Sequence, residues 1–159
     1  MKFSAFQILL PLTVVAQLAL AFDANTLLGM VNQERQKVGV PVLSLDARLM
    51  VAAQRHNAYQ VSIQTMTHDE PNRSLGDRVS ETGYQWSNVG ENVAAGFPDE
   101  ASVMNAWMNS PEHRSNILSP AFTQIGVAYN PQGSYWTQEF ARPMIMRKRS
   151  PKFVGRNNH

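Results

Sequence analysis

From Asp23 to Gly39 the residues Leu27, Leu28, Val31, Arg35 and Val38 recur at helical spacing. Asp23 and Asn25 are candidate caps, and Gly39-Val40-Pro41 supplies the stop. A second stripe, Leu49, Ala52, Ala53, His56, Tyr59, Gln60 and Ile63, predicts a helix from Asp46 to about Gln64 whose buried face includes a histidine. The stretch from Thr67 to Arg73 is polar, contains Pro71 and reads as a loop. Leu75, Arg78 and Val79 then suggest a short helix ending by Gly83. Trp86 to Gly96 mixes apolar and small residues around Gly90, as a strand with a close backbone approach does. Asp99 to Asn109 is a helix with Val103, Ala106 and Trp107 inward, broken by Pro111. Phe122 to Tyr129 and Tyr135 to Phe140 alternate and pair as a hairpin across Asn130-Pro131-Gln132-Gly133-Ser134. Helices early and strands late favour a mixed α+β domain, with helices packed on a sheet.

The ends of the chain are read differently. Lys2, the mainly apolar run from Phe3 to Leu20 and the small residues of Ala19-Leu20-Ala21 mark residues 1–21 as a signal peptide. A membrane anchor is the competing reading, but Ser4, Gln7, Pro11, Thr13 and Gln17 interrupt the roughly 20 consecutive apolar residues that a span needs. The expected protein is therefore extracellular and secreted, with no membrane span. From Phe22 to Ala141 there are seven Lys or Arg against twelve Asp or Glu, a balance of −5, whereas Arg142 to His159 holds six basic residues and no acid. Residues 22–142 thus form one domain, and residues 143–159 read as a basic, disordered tail suited to anionic surfaces. Arg147-Lys148-Arg149 in that tail also fits a processing site. The body lacks the basic surface of a nucleic-acid-binding domain.

A small secreted domain ordinarily carries disulfides, yet there is no cysteine among the 159 residues. Thiol catalysis and Cys-based zinc ligation are excluded. No serine lies in a G-x-S-x-G elbow. The remaining candidates are His68, Glu91, Glu112 and His113. Two imidazoles and a carboxylate are a donor set that catalytic zinc uses, with a position left open for water. Equally, His68 and His113 can pin loops by hydrogen bonds to backbone. His56, on an apolar stripe, reads as a satisfied packing histidine. Trp86, Trp107 and Trp136 read as core. Asp77, Asn92 and Arg114 read as residues that hold backbone and neighbouring carboxylates. Asn72-Arg73-Ser74 is a glycosylation sequon.

Read in order, His56-Asn57, Met66-Thr67-His68, Ser74-Leu75-Gly76-Asp77-Arg78, Gly83-Tyr84, Gly90-Glu91-Asn92-Val93-Ala94, Trp107-Met108-Asn109-Ser110-Pro111, His113-Arg114-Ser115-Asn116-Ile117-Leu118, Phe122-Thr123-Gln124-Ile125-Gly126-Val127 and Tyr135-Trp136-Thr137-Gln138 resemble the CAP (SCP-like) superfamily, in its cysteine-free bacterial-type branch. The resemblance covers roughly Asn25 to Ala141. It implies an α/β/α sandwich around a central, mainly antiparallel sheet, with a cleft lined by two His and two acidic residues that in some members bind a divalent metal. His68 and Glu91 match that cleft by motif position. The Gly-His-Tyr-Thr-Gln motif that carries the second His in many members is absent, which leaves His113. Ser110 stands where the other acid is expected, and the role does not pass to Glu112.

Three functions follow from the resemblance. One is a binding protein that holds a sterol or fatty acid in the cleft, formed by His68, Glu91 and His113. Another is a hydrolase in which His68, His113 and Glu91 hold zinc or another divalent metal, with Glu91 activating water against an amide or ester. The third is an interaction protein that meets an extracellular protein partner through its loops.

Overall fold

The structure, a computed structural model, describes residues 22–145. Residues 1–21, read above as a signal peptide, and residues 146–159 of the basic tail lie outside them. Helix α1 (Ala24–Lys37) opens where Asp23 accepts from the backbone N–H of Asn25 and Thr26. A two-residue strand β1 (Ser44–Leu45) follows, which the hydropathy pattern did not signal because two residues carry no period. Helix α2 (Ala47–Ile63) is capped by Asp46 and closes on Gln64 with φ of 52°. In α3 (Leu75–Ser80), Ser74 and Asp77 form a reciprocal capping box. Strand β2 (Trp86–Ala94) leads to α4 (Glu100–Asn109), capped by Asp99.

Pro111 does more than end α4. Ser110 closes α4 and opens a further helix, α5 (Pro111–Leu118), in which proline takes the first position. Its missing N–H is harmless there, since that donor has no intrahelical partner. Strands β3 (Gln124–Asn130) and β4 (Tyr135–Pro143) form the expected hairpin, and β4 runs one residue past the expected domain end.

The sheet order is β1-β3-β4-β2, with β1 parallel to β3 and the other pairs antiparallel. Helices α1, α4 and α5 pack together on one face, while α2 and α3 pack together and α2 lies along β3 and β4. This is the α/β/α sandwich, and it explains why β4 is buried along almost its whole length. One core gathers Leu27, Val31, Val103, Trp107, Ile117, Trp136 and Phe140; a smaller one on the α2 and α3 side holds Leu49, Ala52, Val79 and Tyr84. Val38 and Ile63, the last positions of the two predicted stripes, are exposed, because each lies at a helix end beyond the sheet. Trp86 is only partly buried, unlike Trp107 and Trp136, because it packs at the margin against α3.

Two features bring the layers close. Gly126 lets α2 lie directly on β3: a Cβ there would stand 2.0 Å from the Leu49 carbonyl carbon. Arg35 is fully buried and donates to four backbone carbonyls, those of Pro41, Ile117, Ser119 and Phe122. It thereby ties α1 to the C-terminus of α5, where a cation also meets the negative end of the helix dipole.

Candidate functional site

The loop after α2 brings His68 to β2. Its Nδ1–H donates to Glu91 Oε1 at 2.8 Å, so the ring is fixed by one nitrogen and keeps Nε2 free. Arg78 of α3 completes the arrangement: Nη2 donates to Glu91 Oε2 at 2.5 Å and Nη1 to the His68 carbonyl at 2.8 Å. His68 is half exposed while Glu91 is buried, so the pair presents an imidazole backed by a concealed charge. That hydrogen bond holds the His68 imidazole above its ordinary proton affinity, against the opposing effect of burial. Burial pushes the Glu91 carboxyl up, but the His68 hydrogen bond and the charges of His56 and Arg78 outweigh it and keep the group below the ordinary carboxylate value.

His113 comes from the first turn of α5. Asn92 places that turn by donating to the His113 carbonyl, and Asn116 locks it by donating to the Glu91 carbonyl and to Asn92 Oδ1. These contacts cover the outer edge of β2, which would otherwise show bare carbonyls. Burial, and then the neighbouring His68 charge, lower the proton affinity of His113. The two imidazoles are thus close enough to repel, although among the described residues no hydrogen bond joins His113 to His68 or Glu91. Ser110 lines the same recess as His113, and Glu112 is exposed.

Two hollows flank this group. A polar one of about 480 Å³ is lined by His68, Asp69, Arg73, Ser74, Leu75 and Glu91. The other, about 290 Å³, is lined by Met66, Val93, Ala94, Ala95, Phe97, Ala106 and Trp107, with Ser110 and His113 as its polar side chains.

The geometry does not fit a metal held by His68, His113 and Glu91. Both Glu91 oxygens already accept hydrogen bonds, from His68 and from Arg78, and the Arg78 guanidinium lies against the carboxylate a cation would need. Among the described residues no three His, Asp or Glu side chains are grouped to hold an ion.

Residues given no role in the cleft by the sequence stand directly behind the pair. His56 is fully buried, as expected of a packing histidine, but its partners are polar: Glu70 Oε1 at 2.7 Å and the Thr67 carbonyl at 2.8 Å. Its Nε2 also lies 3.5 Å from Glu91 Oε2. Glu139 is fully buried one strand away. Glu139 shares its face of β4 with Thr137 in a strand that is buried on both faces, which the alternating pattern read from the sequence did not signal. Asp77 and Asn92 hold backbone groups as expected, whereas Arg114 is exposed.

Comparison with known proteins agrees with this architecture. The family described as the cysteine-rich secretory protein family, CAP, matches residues 28–140. The protein YkwD of Bacillus subtilis is 40% identical over 110 residues, which is 69% of this chain and 43% of that protein. The membrane protein YlbC of the same organism is 28% identical over 73% of this chain and 33% of its own length. This chain therefore spans less than half of either relative. An extracellular SCP-domain protein of Bacillus anthracis superposes with a TM-score of 0.70 at 29% identity, over 74% of this chain and 39% of that one. An outer surface protein of Borrelia burgdorferi shares the fold, with a TM-score of 0.71 at 20% identity, over 76% of this chain and 92% of that one. Among the described residues no helix is long and apolar enough to cross a membrane. On the strength of the match across residues 28–140, this chain belongs to the CAP family.

Proposed function

We propose that this chain is a secreted CAP-domain protein that binds a small apolar or amphipathic molecule, such as a fatty acid, in the recess beside His113. The observation that carries the reading is the lining of that recess: aliphatic and aromatic side chains converge there, and its polar groups are Ser110 and His113. Apolar walls with a few placed polar groups are the usual composition of a small-molecule site. Its volume of about 290 Å³ lies at the small end of such sites, which suits an acyl chain better than a whole sterol. His68, with a free Nε2 and a raised proton affinity, lines the adjoining polar hollow and offers a polar anchor there.

The test is a titration of the purified domain with a fluorescent fatty acid, beside Ala106→Phe, which fills the recess. Saturable binding weakened at least about ten-fold in a folded variant supports the reading. Absence of saturable binding by the wild type overturns it.

One observation favours hydrolysis as a second reading. The Glu91–His68 pair orients an imidazole as a general base, with Nε2 outward. In that case His68 activates water against an ester or amide, and Glu91 orients it rather than acting as the base. A wild-type domain that turns over neither ester nor peptide substrates removes this reading without touching the first.

A further inference from the structure

Behind the His68–Glu91 pair, the face of the sheet under α2 and α3 buries more carboxyl groups than cations. Glu70, Glu91 and Glu139 are 9%, 6% and 0% exposed, and the basic groups buried with them are His56 and Arg78. Both ring nitrogens of His56 face oxygens, those of Glu70 and of the Thr67 carbonyl, so this ring is committed to Glu70 and the loop. Arg78 pairs with Glu91 and remains 3.9 Å from Glu139. The partly exposed Arg73 donates to the other Glu70 oxygen at 2.8 Å, so Glu70 and Glu91 each accept from a basic side chain and Glu139 from none.

Both oxygens of Glu139 are buried without a donor. An ionised carboxylate in that position costs several kcal/mol or more, whereas a neutral acid does not. The strand register supplies the missing partner. Glu139 lies directly across from Glu91 in the β2–β4 ladder, so the two side chains share a face. Its opposite number on β3 is Gly126, which offers no side chain. Glu91 from β2, Arg78 from α3 and Glu70 from the loop after α2 are the charged groups that face it, with His56 of α2 behind them. A single proton on Glu139 turns two opposed acceptors into a donor and an acceptor. Burial, and then the Glu91 charge, push the Glu139 carboxyl well above the ordinary carboxylate value, in agreement with that count.

We propose that Glu139 is a positioning residue: a neutral buried acid that donates a hydrogen bond to Glu91 and, with Arg78, locks the Glu91 carboxylate in the orientation that receives His68 Nδ1–H. The inference concerns how the pair is held, and it stands whether or not the recess takes an apolar ligand.

Glu139→Gln keeps the shape and a donor; Glu139→Leu removes the donor. The infrared difference spectrum of wild type minus Glu139→Gln at neutral pH is expected to show a protonated carboxylic C=O band. By NMR, the His68 Nδ1–H resonance is expected to persist in Glu139→Gln and to exchange at least about ten-fold faster in Glu139→Leu. A difference spectrum showing only carboxylate bands overturns the proposal, and so does a folded Glu139→Leu that protects the His68 proton as well as wild type. If Glu139→Leu fails to fold, the infrared result alone decides.

Discussion

The Nδ1 of His68 lies 2.8 Å from Glu91 Oε1, and this bond, more than any other influence, raises the proton affinity of the imidazole. Replacing the carboxylate by an amide of the same shape removes the charge and leaves the ring half exposed. Glu91→Gln is therefore expected to lower the titration midpoint of His68, as loss of an adjacent opposite charge does. The ring-proton chemical shift followed by NMR reads this directly, and an unchanged midpoint refutes the assigned cause. His68 and Glu91 were named from motif position, and His113 only because the usual motif for the second histidine is absent. Arg78, Glu70 and Glu139 were given no role. Their roles depend on which residue stands opposite which across the ladder, and register is set by hairpin and packing geometry rather than by any local spacing.

The contact between α2 and β3 rests on Gly126, where the helix backbone occupies the space of a side chain. Gly126→Ala puts a methyl group into the Leu49 carbonyl and the Met50 amide, both rigid backbone rather than a yielding side-chain tip. The expected cost is about 1–3 kcal/mol or more, the usual range for overpacking, read by urea denaturation; a change below about 0.5 kcal/mol shows that the layers separate freely. Arg35 carries the other inter-helix tie. Arg35→Met retains much of the apolar stem but strands four carbonyls, including two at the end of α5, and is expected to cost about 3–5 kcal/mol. A variant as stable as wild type shows that water replaces the guanidinium. The helical period had placed Arg35 on the buried stripe of α1 without indicating what it bonds. Helix α5 was missed for a related reason: Pro111 was read as a breaker, when the same residue, with its fixed φ, starts the next helix at its first position.

Across the whole domain the described titratable groups bias stability in one direction above neutrality. Glu139 and His68 both bind protons more tightly in the folded protein than their ordinary values of 4.5 and 6.5 imply, so each contribution is full below that value and is lost as pH rises through the folded one. Glu91 and His113 are shifted downward, so their contributions are already complete above 4.5 and 6.5 respectively and add no slope on the alkaline side. Tyr84, pushed up to about 12 mainly by burial, acts in the same sense as Glu139 but only above 10. The fold class was legible from the order of helices and strands. This pH behaviour was not, because it depends on three carboxyl groups from distant segments converging under α2 and α3. Thermal melts are expected to show a midpoint that declines as pH rises above 6.5, because the unfolded chain has by then released the protons that folded His68 and Glu139 retain. Glu139→Gln cannot ionise, so its profile is expected to be flatter, and its stability relative to wild type should grow with pH. A wild-type midpoint that rises across this window, or a Glu139→Gln profile parallel to wild type, means that Glu139 does not hold a proton that the unfolded chain releases.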